Sequence, residues 1–406
     1  MFLGVLIVLV PVGHAAISKS ESLAVSKNES QLFKDIFRNY DPLVWPNHNN
    51  SPDWAIEIWF NMYSLVDLNE KDQVLSLSGM FGLTWKEPLL EWDAREYNTE
   101  VIYVPTEMLW LPDVILQNAV ANYGQIGNRN LKVYLESSGT IVWFPGDFYK
   151  TYCKIDVRHY PFDTQSCKMI LQPLSCEKKI VNLDLAPIPV SLRKYDENGE
   201  WELCDIVPQK VWVDKARHFR VDYTLNMKRK TLFYAVNMIL PIVFLSLLNS
   251  LVFAVPANSG EKITLCISVM LSYAVFLTLA NDALPENSDG VCYFSAYLAT
   301  EIFLSVAATI ITVVNLAFHH HNPSYIRTTR LLTLLVSDKK IQTLAGEMVK
   351  VKSPDQVPEI HGVATEVKVV LGSDVATTLD ILGFKVFTLI NIVATLVFFC
   401  GMSGVY

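Results

Sequence analysis

Charged residues are scarce in this chain of 406 residues, because Asp, Glu, Lys and Arg together make up only 18% of it. Ordinary soluble domains contain roughly 25%. Hydrophobic residues, in contrast, make up 51%. This balance argues against a purely soluble globular protein. The length allows two or three domains of ~100 to 200 residues, so a membrane part and a soluble part can coexist in one chain.

Basic residues are also in deficit, with 33 Lys and Arg against 41 Asp and Glu and a formal net charge of -8. Nucleic-acid binding depends on contacts from Lys and Arg to phosphates, so a nucleic-acid partner is disfavoured. An acidic outer surface suits a cationic partner better.

Catalytic and cofactor motifs are missing from the sequence. It contains no G-x-S-x-G, no H-E-x-x-H and no phosphate-binding glycine loop. The histidines of the run His319-His320-His321 are consecutive, so they cannot all point at one metal ion from a helix. The 7 cysteines are too few for a disulfide framework in a chain of this length. We therefore predict neither an enzyme nor a metal site nor a bound cofactor.

Residues 1–16 have the features of a secretory signal, since an apolar core is followed by small residues. No Lys or Arg precedes that core, so a short amino-terminal anchor is the alternative. Asn28 and Asn49 each begin a glycosylation sequon, which matters only in an exported segment. We expect the residues after the signal to lie outside the cell.

Four later segments are long and apolar enough to cross a bilayer core of ~30 Å, which needs about 20 residues of helix. They are residues 232–255, 263–280, 292–318 and 379–401. With an exported amino terminus, four crossings place the carboxyl terminus outside as well. The long link between the third and fourth segments is then cytoplasmic, and its Lys and Arg residues agree with the positive-inside tendency. Within it, residues 330–344 can form an amphipathic helix at the inner leaflet.

The part before the first apolar segment consists of short alternating runs such as 132–136 and 140–144, which is typical of a β-sandwich. One helix precedes these runs, at Leu32 to Phe37. The predicted fold is an α+β membrane protein, in which an extracellular β-sandwich is followed by four transmembrane α-helices. The predicted domains are the signal, an exported domain at 17–230, three helices at 231–318, a cytoplasmic loop at 319–378, and a last helix with an outside terminus at 379–406.

Cys153 and Cys167 enclose thirteen residues in the exported domain. A disulfide that closed this loop would contribute ~3 kcal/mol by the chain-entropy estimate. The alternative is two free thiols in a core, which an oxidising compartment disfavours. The loop contains the run Tyr160-Pro161-Phe162-Asp163, an aromatic-proline turn that ends in an acid.

Two further runs accompany this loop, Trp-Leu-Pro-Asp at 110–113 and Gly-Glu-Lys-Ile-Thr-Leu at 260–265. In these three features the chain resembles a subunit of the Cys-loop pentameric ligand-gated ion channels. The pattern is similar to that of nicotinic acetylcholine and serotonin receptor subunits. The resemblance implies a plasma-membrane pentamer of this chain with four further identical or homologous subunits. It also implies a central pore and agonist sites between neighbouring outside domains.

One side of the second apolar segment combines a polar lower half with an apolar upper half. Its residues recur at spacings of three and four, namely Thr264, Ser268, Leu271, Val275 and Leu279. The hydroxyls alone are also consistent with contacts between membrane helices. However, Glu261 and Asp282 bracket the stripe, and in a symmetric oligomer they would form carboxylate rings that attract cations. A helix at 261–282 is therefore predicted to line the pore.

The resemblance places Glu261 at the selectivity position and Leu271 at the hydrophobic gate. Relatives that pass anions usually carry an inserted Pro-Ala before this point, and the run at 259–261 lacks it. A channel for cations is therefore predicted. A non-conducting binding or accessory subunit that needs partner subunits is the alternative.

Arg229 precedes the first apolar segment, between Lys228 and Lys230. Basic residues at a helix end often extend to lipid headgroups, which explains the two lysines. For Arg229 the resemblance implies ion pairs with Glu70 and Asp163 beneath the outside domain. It further implies that the aromatic-proline turn of the cysteine loop presses on Pro285, in the link after the pore helix.

The agonist site departs from the family pattern, in which aromatic faces hold a cationic ligand. Four positions expected to be aromatic are occupied by Met80, Gln117, Leu174 and His218. Three aromatic residues, Trp212, Phe219 and Tyr223, remain in the hairpin near this site, which lacks an adjacent cysteine pair. The extracellular small-molecule ligand is therefore unidentified. Cys176 and Cys204 are two further outside cysteines, and their pairing is left open.

Overall fold

The structure of the chain is a computed structural model. It describes residues 29–46, 54–120, 126–127, 131–174, 182–214, 218–285, 290–320 and 372–403. The predicted signal, both sequons and the amphipathic helix at 330–344 lie outside the described residues, and these remain predictions.

Eleven strands form two sheets in the first half of the described chain. The strands are β1 (Ala55–Asn69), β2 (Val74–Lys86), β3 (Val101–Val104), β4 (Val114–Leu116), β5 (Val133–Glu136), β6 (Thr140–Trp143), β7 (Gly146–Tyr152), β8 (Thr164–Pro173), β9 (Asn182–Ser191), β10 (Trp201–Val213) and β11 (His218–Arg229). A seven-stranded sheet has the order β3-β5-β6-β2-β1-β9, with β7 also paired to β2. A four-stranded sheet has the order β10-β11-β8-β4. The predicted β-sandwich is therefore confirmed.

Alternating burial joins the two sheets into one core. Phe60 of β1 and Phe81 of β2 are 0% exposed, and both rings lie 5.9 Å from the ring of Tyr223 in β11. Every second side chain of a strand points to the same face, so these residues meet between the sheets. Gly79 allows this packing, since a Cβ atom there would lie 2.6 Å from the ring of Phe60.

The α-helices of the described residues divide into two short ones and four long ones. The short ones are α1 (29–36), which confirms the helix predicted before the strands, and α2 (Ala94–Tyr97). The long ones are α3 (Leu232–Ala254), α4 (Lys262–Ala283), α5 (Tyr293–His320) and α6 (Gly372–Ser403). All four long helices are apolar enough to cross a membrane. The four predicted transmembrane helices are confirmed as helices of this kind, and α6 begins seven residues before the predicted segment at 379.

Helix α3 is not regular throughout. Residues Ala235–Ile239 form a π-helical turn, and Pro241 follows at the start of the regular part, Leu240–Leu251. Proline lacks a backbone N–H and its ring clashes with the preceding turn, so a regular hydrogen bond is missing at this point. A π-helical turn accommodates the break without ending the helix.

Polar contacts hold the four long helices together. Lys262 Nζ at the start of α4 lies 2.5 Å from Asp380 Oδ1 of α6, and both side chains are largely buried. Asn391 of α6 donates to the backbone oxygen of Ser246 in α3 over 2.9 Å. Asn315 of α5 donates to the backbone oxygen of Ala376 over 3.0 Å. These bonds fix α6 against the other helices, where a hydrophobic driving force between helices is weak.

Candidate functional site

Arg229 is the last residue of β11 and lies directly before α3. Its side chain is fully buried, and its Nε and Nη2 atoms lie 2.7 and 3.2 Å from the two carboxylate oxygens of Asp163. Two parallel bonds of this kind match the planar guanidinium to the carboxylate. Asp163 belongs to the loop between Cys153 and Cys167, so this pair ties that loop to the end of the sandwich.

Two further acids approach the same guanidinium. Glu70, in the turn after β1, lies 2.5 Å from Arg229 Nη1, and Glu200 lies 3.6 Å from it. Burial opposes the charge of Arg229, but the bond and the charges of Asp163 and Glu70 outweigh it, so the pKa of the guanidinium is raised. Burial also raises the pKa of Glu70, in spite of the nearby Arg229. The predicted contacts of Arg229 with Glu70 and Asp163 are thus present in the structure.

Aromatic rings enclose the buried charge. The guanidinium carbon lies 4.2 Å from the ring centroid of Trp201 and 5.0 Å from that of Tyr160. Tyr160 contacts the membrane helices, since its ring lies 5.5 Å from that of Tyr234 in α3 and 6.0 Å from that of Phe294 in α5. Tyr234 also donates a hydrogen bond to Glu200. The sandwich, the cysteine loop and two long helices therefore share one packed cluster.

The cysteine loop is closed by a disulfide between Cys153 and Cys167, and the Cα atoms lie 5.1 Å apart. Both cysteines are buried. Within the loop, Pro161 is buried and Phe162 is half-buried. The predicted disulfide is thereby confirmed, and its loop carries both Tyr160 and Asp163 to the ends of the membrane helices.

Helix α4 has two different sides. The buried side carries residues at spacings of three, four and seven: Lys262, Cys266, Val269, Tyr273 and Ala280. The exposed side carries Glu261, Thr264, Ser268, Leu271, Val275, Leu279 and Asp282. The last apolar members of that set, Leu271, Val275 and Leu279, are 63%, 53% and 54% exposed. All seven predicted pore residues therefore share the side of α4 that the other described helices leave uncovered.

One contact joins the outside domain to the outer end of α4. Lys71, next to Glu70 in the turn after β1, lies 3.8 Å from Asp282. Both side chains are at least half exposed, so the attraction is weak in water. Pro285 follows α4 and is buried. Its predicted contact with the cysteine loop stays a prediction.

The hairpin of β10 and β11 carries the remaining aromatic pair. The ring centroids of Trp212 and Phe219 lie 4.8 Å apart in an edge-to-face arrangement. Lys210 Nζ lies 4.4 Å from the ring centroid of Phe219 and 2.9 Å from Asp184 of β9. An ammonium group of the chain itself therefore already contacts this aromatic face.

Tyr223 does not lie with that pair, and its place among the ligand-binding candidates needs correction. The ring is 0% exposed and the hydroxyl donates to the backbone oxygen of Ile58 over 3.4 Å. Val221, Tyr223 and Leu225 lie two residues apart along β11 and are all 0% exposed, so the ring belongs to the core between the sheets. Burial raises the pKa of its phenol.

The other ligand-binding candidates are spread over both sheets. His218 is 6% exposed at the start of β11, and its Nε2 atom has no hydrogen-bond partner among the described residues. Leu174 is 60% exposed after β8, and Gln117 lies beside that strand, where its backbone N–H donates to Ile170. Met80 lies in β2 of the other sheet, with its sulfur 3.7 Å from the hydroxyl of Tyr63. Cys204 is exposed, and Cys176 lies outside the described residues.

Comparison with known protein families agrees with this architecture. The family model described as "Neurotransmitter-gated ion-channel ligand binding domain" matches residues 29–231. The model described as "Neurotransmitter-gated ion-channel transmembrane region" matches residues 238–357. The chain belongs to the neurotransmitter-gated ion-channel family. The resemblance drawn from the cysteine loop and the two other runs is confirmed, and members of this family are receptors and not enzymes.

Relatives within the neurotransmitter-gated channel family include acetylcholine receptor subunits of vertebrates and insects. The neuronal acetylcholine receptor subunit alpha-2 of Pan troglodytes is 34% identical over 304 residues, which is 74% of this chain and 57% of the relative. The acetylcholine receptor subunit alpha-like 2 of Drosophila melanogaster is 32% identical over 320 residues, 75% of this chain and 55% of the relative. Subunit alpha-L1 of Schistocerca gregaria is 33% identical over 316 residues, 74% of this chain and 56% of the relative. The chain spans a little over half the length of these relatives.

Replacing both Cys153 and Cys167 with Ser is expected to reduce the amount of protein at the cell surface severely. The loop closure contributes ~3 kcal/mol, and the loop positions Asp163 beside Arg229. Surface biotinylation measures the effect. Cys204→Ser is the matched control, because Cys204 forms no disulfide with any described residue, and it should reach the surface normally. Normal surface levels of the double variant would contradict the structural role of this disulfide.

Sequence reasoning missed several residues of these sites, among them Trp201, Lys210 and Lys71. The first of them had a usable signal. If the last two strands pair as a hairpin, Trp201 at one end lies opposite Arg229 at the other, as the register of β10 and β11 confirms. The contacts of Lys210 and Lys71 depend on how the strands and turns pack in three dimensions, for which the sequence offers no comparable signal.

Proposed function

We propose that this chain is one subunit of a pentameric, cation-selective channel of the plasma membrane that opens when an extracellular small molecule binds. Four further identical or homologous subunits complete the ring, and both chain termini lie outside. Family membership and the acetylcholine receptor subunits among the relatives support this function. The observation that carries it is the asymmetry of α4.

The exposed side of α4 fits the wall of a pore. In a ring of subunits, a helix buried on one side by its own bundle turns its other side toward the axis or the neighbours. Hydroxyl groups then line the inner half and Leu271, Val275 and Leu279 the outer half, with Glu261 and Asp282 at the two ends. Carboxylate rings attract cations, and an apolar constriction between them can close a pore by expelling water.

The Arg229 cluster is proposed to pass movement from the outside domain to the pore. It joins the turn after β1, the cysteine loop and the start of α3 through buried charges and aromatic rings. Such packed clusters have discrete arrangements and do not deform continuously. A shift of the sandwich is therefore transmitted to α3 and α5, which contact Tyr160, and to α4 through Lys71 and Asp282.

Changing Glu261 to Gln tests the selectivity. The substitution removes one charge per subunit at the exposed inner end of α4. The preference for cations should therefore fall, and the conductance should fall by up to about tenfold. Permeability ratios from reversal potentials and single-channel currents measure both effects. Glu29→Gln is the matched control, because Glu29 is an exposed glutamate in α1, far along the chain from α4. It should leave the permeability ratios and the single-channel current unchanged. Permeability ratios that stay fixed in Glu261→Gln would show that another group selects the ion.

The ligand is proposed to differ from acetylcholine and serotonin. Of the positions where a cationic ligand would need aromatic faces, four carry Met80, Gln117, Leu174 and His218. Tyr223 is in the core, so it is not available to rebuild a cage. The remaining pair of Trp212 and Phe219 is already contacted by Lys210.

Acetylcholine, choline and serotonin at micromolar concentrations are therefore expected to evoke no current from this subunit alone. Each aromatic contact with a quaternary ammonium contributes ~0.5 to 2 kcal/mol. Losing several of them weakens binding by orders of magnitude, since 1.4 kcal/mol is about tenfold. Whole-cell recording on cells that express only this chain checks the prediction. Micromolar activation by acetylcholine that Trp212→Ala abolishes would establish a cage built around the hairpin.

The Lys210 contact also favours a second candidate function, a subunit that conducts only together with partner subunits. In this chain the ammonium group of Lys210 occupies the aromatic face, so the agonist would bind to a neighbouring subunit instead. The two functions differ in one result, because only the first gives current from the chain expressed alone. Purified pentamers without current would favour the second.

A further inference from the structure

Glu301 of α5 is an ionisable residue inside the membrane part, and the proposed pore does not use it. Its side chain is 0% exposed. It lies eight residues from the start of α5, about 12 Å along the axis at 1.5 Å per residue, and therefore within the apolar span. Acidic residues are rare at such depth and generally have a function.

The carboxyl group contacts the helix proposed to line the pore. The hydroxyl of Tyr273 in α4 donates to Glu301 Oε2 over 3.1 Å, while Oε1 has no hydrogen-bond partner among the described residues. Tyr273 is 0% exposed, whereas Leu271, two residues earlier, is 63% exposed. Two residues correspond to about half a helical turn, so Tyr273 lies on the opposite side of α4 from the proposed gate.

Polar contacts extend from Glu301 to the other two membrane helices. The side chain of Tyr297, one turn earlier in α5, interacts with Glu301 and with Ser246 of α3. The hydroxyl of Tyr297 also lies 3.1 Å from Thr395 Oγ1 of α6. Glu301 therefore belongs to a set of polar contacts that includes side chains from all four helices.

No cation among the described residues balances a charge on Glu301. Residues 232–254 of α3 include no charged side chain. The groups of α4 are Tyr273, beside Glu301, and Lys262 and Asp282 at its two ends, and Lys262 pairs with Asp380 of α6. The other ionisable groups with described side chains are Tyr234 on α3, Cys266 on α4, Tyr293, Tyr297 and the terminal His319 and His320 on α5, and Cys400 and the exposed Lys385 on α6. Burying an unpaired carboxylate in such surroundings costs far more free energy than burying the neutral acid.

We propose that Glu301 is a proton-binding switch behind the pore helix. The neutral acid holds Tyr273 in the arrangement described above. When the O–H bond of the acid breaks, the proton passes to water, the electron pair stays on the carboxylate, and the uncompensated charge repacks the Tyr273 side of α4. Proton binding is independent of the proposed channel function, whereas its effect on the pore rests on that function.

Infrared spectroscopy of the full chain in lipid bilayers tests the proton directly. We expect the carbonyl stretch of a buried protonated carboxyl group in the wild type, its loss as the pH is raised, and its absence in Glu301→Gln. Ser305→Ala is the matched control, because Ser305 lies one turn along α5, is 1% exposed and carries no acid, and it should keep the band. A band that is identical in the wild type and Glu301→Gln at every pH would overturn the proposal.

A second variant covers the case in which Glu301→Gln does not fold. Tyr273→Phe keeps the carboxyl group and removes its hydrogen-bond donor, so the same band should persist at a shifted frequency. An unshifted band would overturn the contact on which the switch depends.

The effect on the pore is measured as current in the Leu271→Ser background, which we expect to conduct without a ligand. Its response to pH should be lost in the double variant with Glu301→Gln and kept in the double variant with Ser305→Ala. An unchanged response with Glu301→Gln would overturn the link to the pore. If no variant conducts, the channel function itself fails, and the infrared result alone decides whether Glu301 binds a proton.

Discussion

Arg229→Ala is expected to abolish surface expression of the chain. The substitution leaves the carboxylates of Asp163 and Glu70, which are 3% and 18% exposed, without their common cation. Removing one partner of a buried ion pair typically costs about 3 to 5 kcal/mol, a large share of the stability of a domain. Surface biotinylation and size-exclusion chromatography of the solubilised protein measure the loss.

A conservative variant separates the charge of Arg229 from its hydrogen-bond geometry, and a second variant serves as the control. Arg229→Lys keeps the charge but not the two parallel bonds to Asp163, so it should recover only part of the surface expression. Arg38→Ala is the control, because Arg38 forms an exposed pair with Asp35 in α1, and it should behave like the wild type. Full expression of Arg229→Ala would show that the cluster does not hold the sandwich on the helices.

Leu271→Ser is expected to produce current without any ligand. Opening the pore wets the proposed constriction, and exposing each leucine side chain to water costs about 1.5 to 3 kcal/mol. A hydroxyl group at this position removes most of that cost, which corresponds to about tenfold or more per subunit in the balance between closed and open states. Whole-cell recording before any agonist is added measures the current.

A matched control for Leu271→Ser is Leu389→Ser. Leu389 of α6 is also 63% exposed in the single chain, but it does not belong to the helix proposed to line the pore. We expect no spontaneous current from it. Equal currents from the two variants would mean that a general loosening of the helices opens the channel. Unchanged gating in Leu271→Ser alone would move the barrier to Val275 or Leu279.

The long helices were the most predictable part of the fold. The first three predicted segments differ from α3, α4 and α5 by at most three residues at each end, because runs of about 20 apolar residues have few other stable arrangements. The start of α6 was less predictable. Polar residues such as Thr377 and Thr378 lower the hydropathy there, yet they are compatible with a helix that continues beyond the apolar run.

The hairpin of β10 and β11 shows what a local sequence pattern can and cannot predict. Tyr223 was predicted near the ligand, although the alternation of Val221, Tyr223 and Leu225 along one strand face already indicated a core residue. The contact of Lys210 with Phe219 could not be predicted in the same way. It depends on the register of the hairpin and on the position of Asp184 in another sheet, and neither follows from a local pattern.

The central claim is that α4 lines a pore for cations, and one measurement tests it most directly. The Leu271→Ser variant is expressed alone, and the reversal potential of its current is recorded while the extracellular sodium chloride is diluted. A cation channel predicts a shift to more negative potentials, in the direction of the sodium equilibrium potential. A shift to more positive potentials, toward that of chloride, would contradict the account.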